Sequence, residues 1–129
     1  KAFQGNKRFI EPQFDGRVRY HYHYLGQKNE YGQLYLIRNA EFEPSFMSKN
    51  GINDPVDKCL FDINMAFIMS KPAIICSHRV NYAGFIVPAN RDKTLRMLKK
   101  LLKSILNRWP DIEFMSSSKL LNIILSNSN

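Results

Sequence analysis

Apolar positions recur every three or four residues in three stretches of this chain, and alternate or run together in several others. That contrast separates helices from strands. Val56, Cys59, Leu60, Ile63 and Phe67 keep the helical spacing. Asp54-Pro55 opens this helix, because the carboxylate accepts from orphan N–H groups and proline suits the first helical position. Asp57 adds negative charge where the helix dipole favours it, and Lys71-Pro72 closes the segment. A second stripe, Leu95, Leu98, Leu101, Leu102, Ile105, Leu106 and Trp109, predicts a long amphipathic helix from about Arg91 to Trp109, broken by Pro110-Asp111. Ser116, Ser117 or Ser118 caps a last helix in which Leu120, Leu121, Ile124 and Leu125 share a face. The polar tail from Ser126 to Asn129 frays.

Between these helices lie short apolar runs. Ala73-Ile74-Ile75-Cys76 is continuous and predicts a parallel strand buried on both faces. Ile112-Glu113-Phe114-Met115 predicts another. The second half, from residue 54 to 129, thus reads helix, strand, helix, strand, helix, an alternation that argues for a parallel sheet with covering helices. The first half, from residue 1 to 53, differs. In RVRYHYHY, from Arg17 to Tyr24, Val18, Tyr20, Tyr22 and Tyr24 alternate with Arg17, Arg19, His21 and His23. This predicts a half-buried strand with an aromatic and a basic face. A polar turn from Gly26 to Gly32 leads to a second strand over Gln33–Asn39, and the two strands read as an N-terminal hairpin. A loop from Ser45 to Asn53 follows.

Composition narrows the classes. A length of 129 residues allows one domain, or part of one. A hydrophobic share of 44% argues for a packed core rather than disorder. No apolar run reaches the roughly 18 residues of a spanning helix, and no signal peptide is visible. The net charge of +8 raises nucleic acid as a partner. Much of the excess, however, lies on one predicted helix: Arg91, Lys93, Arg96, Lys99, Lys100, Lys103 and Arg108 against Asp92 alone. Those side chains fall opposite the apolar stripe and read as a solvated outer face. No glycine-rich loop, aromatic nucleic-acid motif or zinc-finger spacing accompanies them, so nucleic acid is a weak expectation. Cys59 and Cys76 read as small core residues, which mildly favours the cytoplasm.

Candidate chemistry centres on Ala73-Ile74-Ile75-Cys76-Ser77-His78-Arg79-Val80-Asn81-Tyr82. His78 and Arg79 follow an apolar strand directly, and parallel α/β folds bind ligands beyond the carboxyl ends of their strands. An imidazole there can exchange protons near neutral pH, and the guanidinium beside it can hold an anionic or hydroxyl-rich substrate. A histidine that merely bonds a loop is the competing reading. Glu41 and Glu43 pair as acid and base or, more simply, are loop carboxylates meeting Arg38 or solvent. His21 and His23 lie about 7 Å apart on one strand face. They lack a third ligand and have arginines beside them, so an exposed polar face is the simpler expectation.

The stretch from Lys71 to Ile124, beginning KPAIICSHRVNYAG and ending WPDIEFMSSSKLLNII, resembles the C-terminal end of bacterial polysaccharide deacetylase-like proteins of the NodB-homology type. The upstream YHYLGQKNEYGQLYLIRNAEFEPS is similar to the same group. The resemblance implies a partial (β/α) barrel within an α/β fold and a hydrolase that removes acetyl groups from sugars with a divalent metal, usually zinc. It also implies that His78, closing the pattern Ile-x-x-x-His from Ile74, is the general acid. Arg79, Asn81, Tyr82 and Glu43 would then line the substrate cleft, with a polysaccharide or oligosaccharide as partner. The family's metal-binding aspartates and its His-x-x-x-His motif are not in this chain, so the zinc ligands are expected elsewhere and the site to be incomplete here. A non-catalytic carbohydrate- or partner-binding module, with Tyr20, Tyr22 and Tyr24 stacking on sugar rings, is the alternative.

Overall fold

A computed structural model describes residues 2–5, 8–47, 54–83 and 88–127. Of the loop expected over Ser45–Asn53, the first three residues are helical, and residues 48–53 lie outside the described residues, as do Ser128-Asn129 of the expected tail. The protein is mixed α/β. Its strands are β1 (Ala2–Gly5), β2 (Arg8–Pro12), β3 (Val18–Tyr22), β4 (Leu34–Ile37), β5 (Ala40–Glu41) and β6 (Ile75–Cys76). Its helices are α1 (Pro44–Met47), α2 (Pro55–Ile68), α3 (Pro88–Arg108) and α4 (Ser117–Ser126), with a 3-10 turn at Arg79–Asn81. The strands pair as three two-stranded sheets, and no closed barrel forms among the described residues. The chain divides into two compact units, Lys1–Arg38 with Phe114–Asn129, and Asn39–Glu113.

In the first unit, β1 and β4 are parallel, β2 and β3 antiparallel. An N-terminal hairpin is present, but the partner of β3 is β2, not the 33–39 segment. The chain reverses at Gln13–Arg17, where Gln13 N–H donates to the Arg17 carbonyl at 2.9 Å and Gly16 adopts φ +79°. Glycine reaches that left-handed region without the Cβ clash other residues suffer. The aromatic side of β3 is not buried, and of the basic side Arg17 and Arg19 are exposed as well. Tyr20, Tyr22 and the following Tyr24 are exposed, at 49%, 63% and 65%, whereas His21 and His23 are half-buried. Two local contacts hold the histidines: His21 Nε2 lies 2.7 Å from Glu11 Oε2, and the His23 ring stacks on Tyr35 at 4.1 Å. Leu34, Leu36 and Ile37 of β4 are buried instead. The α4 helix is capped as its sequence requires, Ser116 accepting from Lys119 N–H. The expected strand over Ile112–Met115 does not form. Phe114 and Met115 are exposed, and the boundary between the units falls beside them.

The second unit carries the larger core. Asp54 caps α2 through Val56 N–H at 2.8 Å, with Pro55 in the first turn. The helix ends at a left-handed residue, Ser70 (φ +53°): Ser70 N–H donates to the Phe67 carbonyl and Lys71 N–H to the Ala66 carbonyl. This is the paired bonding that closes many helices on glycine. Val56, Cys59, Leu60 and Ile63 of α2 meet Leu101 and Ile105 of α3 over Ala40 and Phe42. Phe67 packs edge-on against Trp109 at 5.2 Å. The apolar stripe of α3 is narrower than the sequence suggests: Leu95, Leu102 and Leu106 are exposed. The basic side chains do face solvent, and Lys100 reaches Asp54 at 2.7 Å.

The β5–β6 pair is parallel, as expected, but it is not buried on both faces. Ile75 is exposed and Cys76 half-buried. The Asn39 side chain sets its register, accepting from Ile74 N–H at 2.7 Å and donating to the Pro72 carbonyl at 2.9 Å. Glu41 then lies opposite Cys76, and Phe42 N–H bonds the Cys76 carbonyl. Two residues further on, Glu43 comes level with His78.

Candidate active site

Alternation along the chain sends Ala40 and Phe42 into the core and leaves Glu43 for the other side. Glu43 is nevertheless only 6% exposed. A carboxylate so buried requires donors, since desolvating an unpaired charge costs several kcal/mol. It has three. Its Oε1 accepts from His78 N–H at 2.8 Å and lies 2.7 Å from His78 Nδ1. Its Oε2 accepts from Asn81 Nδ2 at 2.6 Å. Glu43 is therefore not a loop carboxylate meeting Arg38 or solvent.

The imidazole held at Nδ1 is itself at the surface, its side chain 65% exposed. Nδ1 faces the buried carboxylate, so Nε2 on the far edge of the ring is the nitrogen open to a reactant. A carboxylate behind an imidazole stabilises the protonated ring and orients the neutral one, the arrangement general acid–base catalysis uses.

Around this pair the expected residues divide. Arg79 is exposed on the 3-10 turn beside His78. Tyr82 is half-buried, its hydroxyl 2.7 Å from Ser77 Oγ, and burial pushes its phenol pKa up, so it stays neutral at physiological pH. Asn81 is fully buried and lines no cleft. Its Oδ1 accepts from Ser45 N–H in the first turn of α1, and its carbonyl accepts the Thr94 hydroxyl proton from α3. Ser45 in turn accepts from Asn90 Nδ2 at 3.0 Å. Sequence reasoning missed Ser45, Asn90 and Thr94. Thr94 had a signal: it continues the Leu98, Leu101, Ile105 row of α3, so a hydroxyl was bound to face inward and need an acceptor.

One trio of metal-ligating residues clusters among the described residues. Ligand atoms of Glu43, Cys76 and His78 lie within 4.8 Å of one another. It does not fit a resident zinc. Glu43 Oε1 already takes the His78 backbone N–H and sits 2.7 Å from His78 Nδ1, so a metal would have to displace the contacts that make burial of the carboxylate tolerable. His21 and His23 belong to no such group among the described residues. Cys59 is inert: burial pushes its thiol up to about 12.

No protein-family model, curated protein or solved structure matches the chain. No helix among the described residues is long and apolar enough to cross a membrane.

Proposed function

We propose that the chain belongs to a carbohydrate deacetylase-like hydrolase in which His78 is the acid–base residue. The observation that carries this reading is the Glu43–His78 pair at the carboxyl ends of two parallel strands, its carboxylate buried and its imidazole at the surface. In deacetylation the acyl C–O or C–N bond breaks, water supplies hydroxyl to the acetate, and the sugar oxygen or nitrogen takes a proton. Nε2 of His78 donates that proton, and Glu43 stabilises the imidazolium before transfer. Exposed Arg79 and the Ser77–Tyr82 hydroxyl pair offer donors to sugar hydroxyls beside it. The partial (β/α) barrel and the divalent metal, usually zinc, belong to the same proposal, with metal ligands other than the Glu43–Cys76–His78 group. The experiment is acetate release from acetylated oligosaccharides by the full-length protein with zinc added. His78→Ala is expected to lower the rate about 10²–10⁴-fold, the usual contribution of a positioned acid–base group. An undiminished rate in that variant would overturn the assignment.

A second reading has its own observation. The outward row Tyr20, Tyr22 and Tyr24 presents aromatic faces at strand spacing, which suits a non-catalytic contact with an oligosaccharide. On this reading Tyr22→Ala weakens oligosaccharide binding several-fold by titration calorimetry while His78→Ala leaves it unchanged. Equal affinity in wild type and Tyr22→Ala would remove it.

A further inference from the structure

The side chain of Asn81 has no exposed surface, yet every polar atom of it is used. Its amide nitrogen has two hydrogens and two good acceptors, Glu43 Oε2 at 2.6 Å and the His78 carbonyl at 3.0 Å. Its amide oxygen takes Ser45 N–H at 3.1 Å. Its own N–H bonds the His78 carbonyl, closing the 3-10 turn. Its own carbonyl takes the Thr94 hydroxyl, and that hydroxyl also reaches the Arg91 carbonyl at 2.9 Å. A carboxamide of this length is the group that can donate twice and accept once here. Aspartate has no donor, leucine has neither, and glutamine is one methylene too long for a filled site.

Geometry gives these bonds a direction. Glu43 has two oxygens, and only one can face the imidazole squarely. With Asn81 holding Oε2, Oε1 is turned toward the backbone N–H and the Nδ1 of His78. We propose that Asn81 is the positioning residue of the pair: by fixing the rotation of the Glu43 carboxylate it keeps the His78 proton on Nδ1 and leaves Nε2 as the nitrogen that exchanges protons with a reactant. The turn thus bonds Glu43, two residues beyond β5 and 38 residues before Asn81, and Thr94 of α3, 13 residues after it. The inference depends on the proposed hydrolase reading only for the use made of Nε2. The tautomer itself can be read without substrate.

The test is nitrogen-15 NMR of the imidazole side chains in the full protein, at a pH where the rings are neutral, with His78→Ala used to assign the signal. Wild type is expected to show mainly the Nδ1–H form of His78. Asn81→Ala, and Asn81→Leu as a variant that fills the same volume without a donor, are expected to lower the Nδ1–H to Nε2–H ratio at least threefold. Thr94→Val loosens the same turn without touching Glu43. It is expected to lower the melting temperature and leave the ratio unchanged. A folded Asn81 variant with the wild-type ratio, or a Thr94→Val protein shifted as far as the Asn81 variants, would overturn the positioning role. Wild-type protein with mainly Nε2–H would do the same. Absence of acetate release alongside an Asn81-dependent tautomer would count against the hydrolase reading alone.

Discussion

Ser70 adopts φ +53° with an L side chain, in a conformation that costs a non-glycine residue about 1–2 kcal/mol. It is tolerated because the two bonds it organises, to Phe67 and Ala66, satisfy the last carbonyls of α2. Ser70→Gly removes the steric cost and adds some unfolded-chain entropy. The expected outcome is a net gain of about 0.5–1 kcal/mol in denaturant midpoint analysis. A loss of stability would show that the serine side chain contributes more than its backbone costs. The candidate site residues divide by the same local test. His78 was legible because it follows an apolar run directly, a position where chain direction alone places a residue at a strand end. The burial of Glu43 was not legible, since its partner lies 35 residues away and nothing within a few residues of it distinguishes it from Glu41. Asn81 was misread for the same reason. An asparagine beside a histidine looks like a surface donor until α1, α3 and β5 close over it.

Helices were the legible elements. Their caps and periodicity are local, and α2 and α4 begin where Asp54 and Ser116 place them. Strands were less so, because a strand is defined by its partner. The 33–39 segment found β1 rather than β3, and 112–115 found none among the described residues. Alternation in β3 announced a two-faced strand but not which face lies inward, since tyrosine and histidine can each be buried or exposed. Asp54 makes a prediction at this scale. It serves the α2 N–H groups and also receives Lys100 from α3, and the Lys100 hydrogen bond, followed by Val56 N–H, holds its carboxyl below the ordinary aspartate range. A carboxyl with a lowered folded-state pKa adds stability above its unfolded pKa and loses that contribution as pH falls through the folded value. Asp54→Ala is therefore expected to cost about 1 kcal/mol at neutral pH, the usual value of a cap. The difference from wild type should shrink toward zero in acid, below the normal aspartate range. A cost that does not change with pH in chemical denaturation would contradict the role given to the ionised form.

At the scale of the whole molecule, the +8 charge and the apolar content have separate homes. The basic excess lies largely along the solvent side of α3, and the principal core of Asn39–Glu113 sits between α2, α3 and β5. The proposed chemistry lies at neither. It sits where β5 and β6 end side by side, on a register set by Asn39 and closed by Asn81. The central claim is that His78 transfers a proton there, and chemical rescue tests it most directly. Acetate release by His78→Ala should recover progressively as free imidazole is added, because a small imidazole in the vacated space can carry the same proton. A rate that stays at background at every imidazole concentration, in a variant whose fold is intact, would contradict the claim.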